Sequence, residues 1–414
     1  MVIVDELRAL SGPQRAAFIA SLLGWALDAF DYFLLVFVLS AIAKDFHADI
    51  AVVNSAILLT LAARPVGALL FGRLADHHGR RPILMVVIGL YSVLALASAF
   101  SPTLTFLLVL RALFGVAMGG VWGIGASLAL ETVPAKSRGT ISGILQQGYP
   151  MGYFLAAIAN LFLPVIGWRG LLALGVLPAL LILYIERTVE ESPAWTEAKA
   201  AAAHRPNLLQ ALKGHWGILA YAVVLMTCFN FFSHGTQDLY PQFLQRQHGF
   251  PAAIVTALTI CLNLGAMVGG VIFGPLSERL GRRRAIVLAA LLSLPVIPLW
   301  AFSTTPVMLA AGAFLIQIAV QGAWAVVPAH LNELSPESAR GAFPGFAYQL
   351  GNLFAAVNVT IQTALVKTHN GNYGLALALV CAVVAVMLSV VAWFGPERKG
   401  KAFGASVAES EAGA

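Results

Sequence analysis

The sequence predicts an all-α membrane protein of twelve spans in two pseudo-symmetric six-helix bundles, and three observations predict it. The first is apolarity: 59% of the 414 residues are hydrophobic and 11% charged, with a mean hydropathy of +0.83, where a soluble chain carries about 25% charge. The second is the recurrence, from end to end, of apolar blocks above the roughly 18 residues that mark a membrane-spanning helix. The third is an internal repeat at a fixed offset of 202 residues. A transmembrane β-barrel would instead alternate polar and apolar residues in segments of about ten.

The opening stretch, MVIVDELRALSGPQRAAF, mixes acids and bases and has no small-residue cleavage site. The first apolar block is too long for a signal-peptide core, so it reads as a retained helix. Turn and charge signals then cut the chain into spans at about 17–43, 52–74, 83–101, 104–130, 140–163, 169–187, 215–244, 252–276, 284–303, 307–332, 342–366 and 373–395. The long polar interruption at 186–215 divides them six and six. The expected units are an N-terminal bundle (1–187), a cytoplasmic linker (188–214), and a C-terminal bundle with a short cytoplasmic tail (215–414). Cys228, Cys261 and Cys381 all fall inside apolar blocks, which argues against a disulfide framework or a zinc site. No metal, no cofactor and no enzymatic activity are expected, and the chain is expected to be a monomer.

Charge sets the orientation. Apart from Arg64 and Arg111, which lie within spans, every Lys and Arg except Lys44, Arg169, Arg246 and Lys367 falls on one side. Positive charge accumulates in the cytoplasm. Both termini and the linker are therefore expected there, with the protein multi-pass in the plasma (inner) membrane. The basic pI of about 9.3 is then a topology signal, with anionic membrane lipids as counter-charge and no nucleic-acid partner.

The repeat pairs GRLADHHGRR, beginning at Gly72, with GPLSERLGRR, beginning at Gly274. It matches Asp76 to Glu278, Gly79 to Gly281 and Arg80 to Arg282. The same offset aligns Trp122 with Trp324, Glu131 with Glu333, Pro134 with Pro336, and Arg138-Gly139 with Arg340-Gly341. The two halves are duplicates about an axis along the membrane normal. GRLADHHGRRP resembles the signature loop between helices 2 and 3 of the major facilitator superfamily. The resemblance implies two bundles that rock about a central site near the bilayer midplane. The Gly-rich turn would let helices 2 and 3 approach closely, and Asp76 and Glu278 would face a helix N-terminus, where the macrodipole favours an anion. Gly72, Asp76, Gly79, Arg80, Glu131, Arg138, Glu278, Arg282, Glu333 and Arg340 are the expected cytoplasmic gate; the alternative is that the basic ones are only positive-inside anchors.

An ionisable residue near the bilayer centre is costly, about 2.5–3.5 kcal/mol on insertion scales, so it should face a cavity and find a partner. Asp28 and Asp31 sit three apart on one face of span 1, where two carboxylates at short range favour sharing a proton. Arg64 lies halfway along span 2. Arg111 heads a small-residue stripe with Gly115 and Gly119 that suits close helix packing, and its role is either functional or purely that packing. In span 7, Asn230, Ser233, His234, Gln237 and Asp238 recur at helical spacing and form one polar stripe, expected to wall a water-accessible pathway. Asn230 stands at the repeat place of Asp28. Further stripes carry Gln146, Tyr149 and Tyr153 in span 5, Gln317, Gln321 and Trp324 in span 10, and Gln349 and Asn352 in span 11. These residues suit hydrogen bonds to a small polar solute, or to each other across helices.

The stretch NFFSHGTQD resembles the helix-7 signature of lactate/pyruvate permeases in the sialate:proton symporter branch of that superfamily, through Asn230, Ser233, His234, Thr236, Gln237 and Asp238. A Thr of that signature is replaced by Gln242. LDAFDYFLL, Arg64-Pro65 and YQLGN are also similar to that branch. The resemblance implies proton-coupled uptake of short monocarboxylates such as lactate and pyruvate. In that reading Arg64, Asn230, His234, Gln237, Gln349, Asn352, Tyr149 and Gln321 bind the substrate, while Asp28, Asp31, His234 and Asp238 carry the proton. The alternatives are an aromatic-acid or other metabolite:proton symporter, which the DAFD run resembles with Ala29 breaking the pattern, or a transporter-like nutrient sensor.

Overall fold

Ser11 begins the first long helix. Its hydroxyl accepts the Gln14 backbone N–H while the Gln14 side chain accepts the Ser11 N–H, and Pro13 occupies the first turn. This reciprocal cap satisfies two orphan donors and starts the helix earlier than the apolar block alone indicates. The structure is a computed structural model that describes residues 2–201 and 213–403. Residues 202–212 of the expected linker, with Arg205, and residues 404–414 of the expected tail lie outside the described residues.

The twelve expected spans are all helical, here α1 to α12. Ten are long and apolar enough to cross a membrane: α1 (Gly12–Asp45), α2 (Ile50–His78), α3 (Arg80–Ala99), α4 (Leu104–Thr132), α6 (Leu163–Thr188), α7 (Trp216–Gln247), α8 (Ala252–Leu280), α9 (Arg282–Ala301), α10 (Pro306–Leu334) and α12 (Tyr373–Phe394). The other two are interrupted. α5 runs Arg138–Leu145 and resumes as Gly148–Asn160, and α11 runs Phe343–Ala355 and resumes as Asn358–Thr368. Short helices at Val2–Ala9 and Pro193–Ala201 flank the first six.

The duplication is visible in the packing. In the first half α1 packs on α5 and α2 on α4; in the second, α7 packs on α11 and α8 on α10. Across the halves α5 meets α8 and α2 meets α11, again as repeat mates. Those crossings are backbone-close. A Cβ on Gly72 would fall 2.5 Å from Ala342 Cα and 2.7 Å from Gly341 O. At the mate position, one on Gly274 would fall 2.7 Å from Gly139 O and 3.0 Å from Gly143 Cα. At Gly72 and Gly274 the close approach is between the bundles, while helices 2 and 3 also pack on each other. The turn from α2 to α3 relies on Gly79, and its mate on Gly281, through positive φ values of 112° and 92°, a backbone region that glycine enters without steric cost.

Candidate functional site

Between the halves lies a cavity of about 390 Å³, lined from α1, α2, α5, α7, α8, α10 and α11. Its apolar floor is aromatic. Trp25 lies 5.7 Å from Tyr149, ring centre to ring centre, and Trp324 lies 5.6 Å from Tyr348, while Trp122 closes the cluster from below at 4.8 Å from Tyr348. Its polar wall is the α7 stripe: Asn230, Ser233, His234, Gln237 and Asp238 all line it, because residues three and four apart share a helix face.

The stripe is hydrogen-bonded outward to other helices. His234 Nδ1 lies 3.2 Å from Asp238 Oδ1 and Nε2 lies 3.1 Å from Asn352 Oδ1, tying α7 to α11. Both contacts are satisfied by an imidazolium, or by a neutral ring with the Asn352 amide turned over. Gln237 donates to Gln317 Oε1 at 3.2 Å, and Gln317 donates to Thr236 Oγ1 at 3.1 Å, tying α7 to α10. The His234 and Asp238 side chains are 35% and 29% exposed, so solvent reaches the wall.

Opposite stands Arg64, 5% exposed yet part of the lining. Its Nη2 lies 3.7 Å from Asp28 Oδ2 and 2.7 Å from Met118 Sδ, and its guanidinium sits 5.4 Å from the centre of the Tyr32 ring. Its Nε has no hydrogen-bond partner among the described residues. This cation is only half engaged, at a pair distance too long for a direct hydrogen bond.

Tyr149, Gln321, Gln146, Tyr153, Gln317, Trp324 and Asn352 also line the cavity as expected. Three expected residues do not. Asp28 sits behind Arg64, and Asp31 is turned further away, against Gly175 of α6, with neither of its carboxylate oxygens hydrogen-bonded among the described residues. The reason is helical phase: α1 presents Trp25, Tyr32, Phe33 and Val36 to the cavity, and at about 100° per residue Asp28 falls at the edge of that face and Asp31 beyond it. Gln349 is likewise buried beside the cavity face, which Tyr348 and Asn352 occupy four residues apart. Arg111 is also away from the cavity; it donates to Ser98 Oγ and stands 4.4 Å over the Phe114 ring.

At the end bearing the Gly72 and Gly274 loops the halves are closed, and the expected gate residues assemble there. Arg80 lies 3.2 Å from Asp76 and 3.1 Å from Glu131, while Arg340 of the other half lies 3.7 Å from the same Glu131. In the mate cluster Arg282 pairs with Glu278 and with Glu333, each at 2.9 Å. Asp76 accepts the Gly341 N–H at 2.7 Å, and Glu278 accepts the Gly139 N–H. Each carboxylate thus crosses to the other half at the start of α11 or α5, as the dipole argument expects. Arg138 breaks the symmetry: it donates to Leu130 O at 3.2 Å and to Lys401 O, and stands 3.4 Å from the centre of the Phe403 ring. Arg340 meets the same ring at 4.0 Å.

Sequence reasoning missed several of these partners. After α6, Glu191 accepts the Arg80 and Arg81 N–H groups that open α3, Ser192 donates to Glu131, and Trp195 donates to Asp76 O. Burial raises the Glu191 carboxyl above its ordinary value, opposed by those N–H donors. The EESPAW run carried a signal, a Glu-Ser-Pro stop just after a helix end. Phe403, beyond the last span, carried none.

The chain matches the Major Facilitator Superfamily profile over residues 21–262 and the Sugar (and other) transporter profile over 215–400. The chain belongs to the major facilitator superfamily. It is similar to a putative metabolite transport protein of Haemophilus influenzae, 31% identical over 93% of this chain and 97% of the relative. It is also similar to the sialic acid transporter NanX of Escherichia coli, 29% identical over 96% of this chain and 97% of that one. Its fold matches the proton:xylose symporter XylE bound to 6-bromo-6-deoxy-D-glucose, with a TM-score of 0.76 and 17% identity over 94% of this chain and 98% of that chain. This major facilitator protein is a multi-pass membrane transporter and not an enzyme.

Proposed function

We propose that this transporter carries an organic carboxylate together with a proton by alternating access, and that the Arg64–Asp28 pair couples the two. The observation that carries the reading is a buried cation at the cavity wall, 3.7 Å from one carboxylate, hydrogen-bonded to a thioether and set against the Tyr32 ring. While Asp28 is ionised it neutralises Arg64. When Asp28 takes a proton, Arg64 becomes an uncompensated buried charge, a state that costs about 3–5 kcal/mol and that a substrate carboxylate relieves as a bidentate partner. Proton and anion therefore load together. The energetics favour the same coupling: carrying an anion inward against 100 mV costs about 2.3 kcal/mol, and one co-transported proton removes that term.

His234, Asp238, Asn230, Gln237 and Asn352 would orient the solute's hydroxyl or keto oxygen, with His234 and Asp238 passing protons from the open side. Asp31, set back against α6, would serve as a secondary proton acceptor. The basic end is taken as cytoplasmic, in the inner membrane, which makes this conformation open to the outside. Lactate and pyruvate are the first candidate solutes, on the α7 signature. A second reading, a larger ring-bearing acid, is favoured by a cavity of about 390 Å³ with an aromatic floor, a size class that buries drug-sized ligands, and by the relative named for sialic acid.

The test is uptake of radiolabelled L-lactate, pyruvate, sialic acid and benzoate into proteoliposomes under an inward proton gradient, with and without an uncoupler. Uncoupler-sensitive accumulation of any of these acids supports the reading and ranks the solutes. Accumulation of a neutral sugar in preference to every acid would overturn it.

A further inference from the structure

A second cavity of about 430 Å³ lies at the closed, basic end, remote from the transport site. It is lined by Arg279 and Leu280 at the end of α8, Gly281, Arg283 and Arg284 at the start of α9, Trp393 at the end of α12, and Glu397 and Lys399 just beyond it. Four cations face it and one carboxylate. That carboxylate is already engaged, since Glu397 accepts the backbone N–H groups of Arg283 at 3.0 Å and Lys399 at 3.2 Å. The lining is therefore an excess of positive charge at the level where three spans end.

The surroundings are those of a membrane interface. Trp393 is 52% exposed, and below it on the same face of α12 stand Val390 and Val386, 50% and 47% exposed. Arg284 is followed one turn along α9 by Leu288, 45% exposed, and residues four apart share a face. A basic pocket thus opens onto two apolar tracks that run into the lipid-facing surface. Duplication accounts for only part of the cluster: Arg283 matches Arg81, but the repeat positions of Arg279 and Arg284 in the first half are His77 and Pro82.

We propose that this pocket is a binding site for an anionic phospholipid, with the headgroup phosphate held by Arg279, Arg283, Arg284 and Lys399, and the acyl chains laid along Val386, Val390 and Leu288. The shared chemistry is a phosphate; the apolar tracks assign it to lipid. Lys399 also donates to the backbone oxygen of Glu278, a residue of the gate, and the chain continues from it to Phe403 between Arg138 and Arg340. A lipid seated here therefore holds the segment that crosses the two halves, whatever solute the transporter carries.

The test titrates the purified full chain with phosphatidylglycerol, phosphatidylcholine and soluble glycerol phosphate, reading retained adducts by native mass spectrometry and the apparent Tm. Phosphatidylglycerol is expected to be retained and to raise the Tm, and phosphatidylcholine is not. The Arg279→Gln/Arg284→Gln double variant should bind phosphatidylglycerol roughly 30-fold more weakly, from about 1 kcal/mol for each basic side chain at an anionic surface. A control double variant, Arg187→Gln/Lys213→Gln, removes the same charge from exposed positions elsewhere at that end and should change binding less than twofold. Equal losses in the two double variants, equal binding of phosphatidylcholine, or displacement by glycerol phosphate at lipid concentrations would each overturn the site.

Discussion

Replacing Gly72 by alanine should force the basic end open. The new Cβ would lie 2.5 Å from Ala342 Cα and 2.7 Å from Gly341 O. Ordinary contact begins near 3.4 Å, so the two bundles must separate by about 0.9 Å at this point or strain their backbones. Overpacking of this kind costs about 1–3 kcal/mol. The gain in helix propensity from Gly to Ala, up to about 1 kcal/mol, applies equally with the gate open and closed and cancels. The equilibrium should therefore shift roughly 5- to 150-fold toward the conformation open at the basic end. Spin labels at Lys136 and Ser338, exposed positions on opposite halves, would read this in nanodiscs as growth of a longer-distance population. Gly24→Ala is the control: its Cβ meets only side-chain atoms at 3.9 and 4.0 Å within one half, and it should leave the distances unchanged. A Gly72→Ala distribution superimposable on wild type would refute the claim that backbone proximity at this crossing holds the gate shut.

Further outcomes follow from the same geometry. Arg64→Lys should lower kcat/KM for carboxylate uptake at least tenfold while the protein still folds, because a point charge cannot reproduce the guanidinium fork; initial rates in proteoliposomes check it. Phe403→Ala removes the ring that two arginines of opposite halves share. At about 0.5–2 kcal/mol for each contact, the upper end applying to desolvated cations, and with both arginines buried, the open population read by the same spin labels should rise at least about fivefold. His234→Ala breaks the links to Asp238 and Asn352 and should raise KM for the carboxylate more than it lowers binding of an aromatic inhibitor to the cavity floor, which equilibrium titration would separate.

Much of the architecture was legible because apolar length and repetition are local properties of the chain. The α7 stripe was legible for the same reason: four polar residues on the helix, and Asp238 at its C-cap, share one direction. Asp28, Asp31 and Gln349 lie off the cavity lining because polarity, not phase, selected them. Their neighbours Tyr32, Phe33 and Tyr348 hold the cavity face instead, and an aromatic ring offers no sequence signal that separates a cavity floor from a core. The interruption of α5 was hidden because Gln146 and Gln147 fit a helix individually; Gln147 turns inward and donates its side-chain amide to Gly143 O. The contacts of Glu191 and Phe403 join elements 111 and 265 residues away, respectively, at Arg80 and Arg138, and no periodicity records a pairing of that span.

The central claim is that the proton on Asp28 frees Arg64 for the substrate. The most direct measurement records proton entry with a pH dye inside proteoliposomes when an accumulated carboxylate is added outside, in wild type and in Asp28→Asn, beside carboxylate counterflow in both. The account predicts substrate-induced acidification in wild type, its loss in Asp28→Asn, and counterflow that persists in the variant because Arg64 is permanently released. Substrate-induced acidification that survives in Asp28→Asn would contradict it.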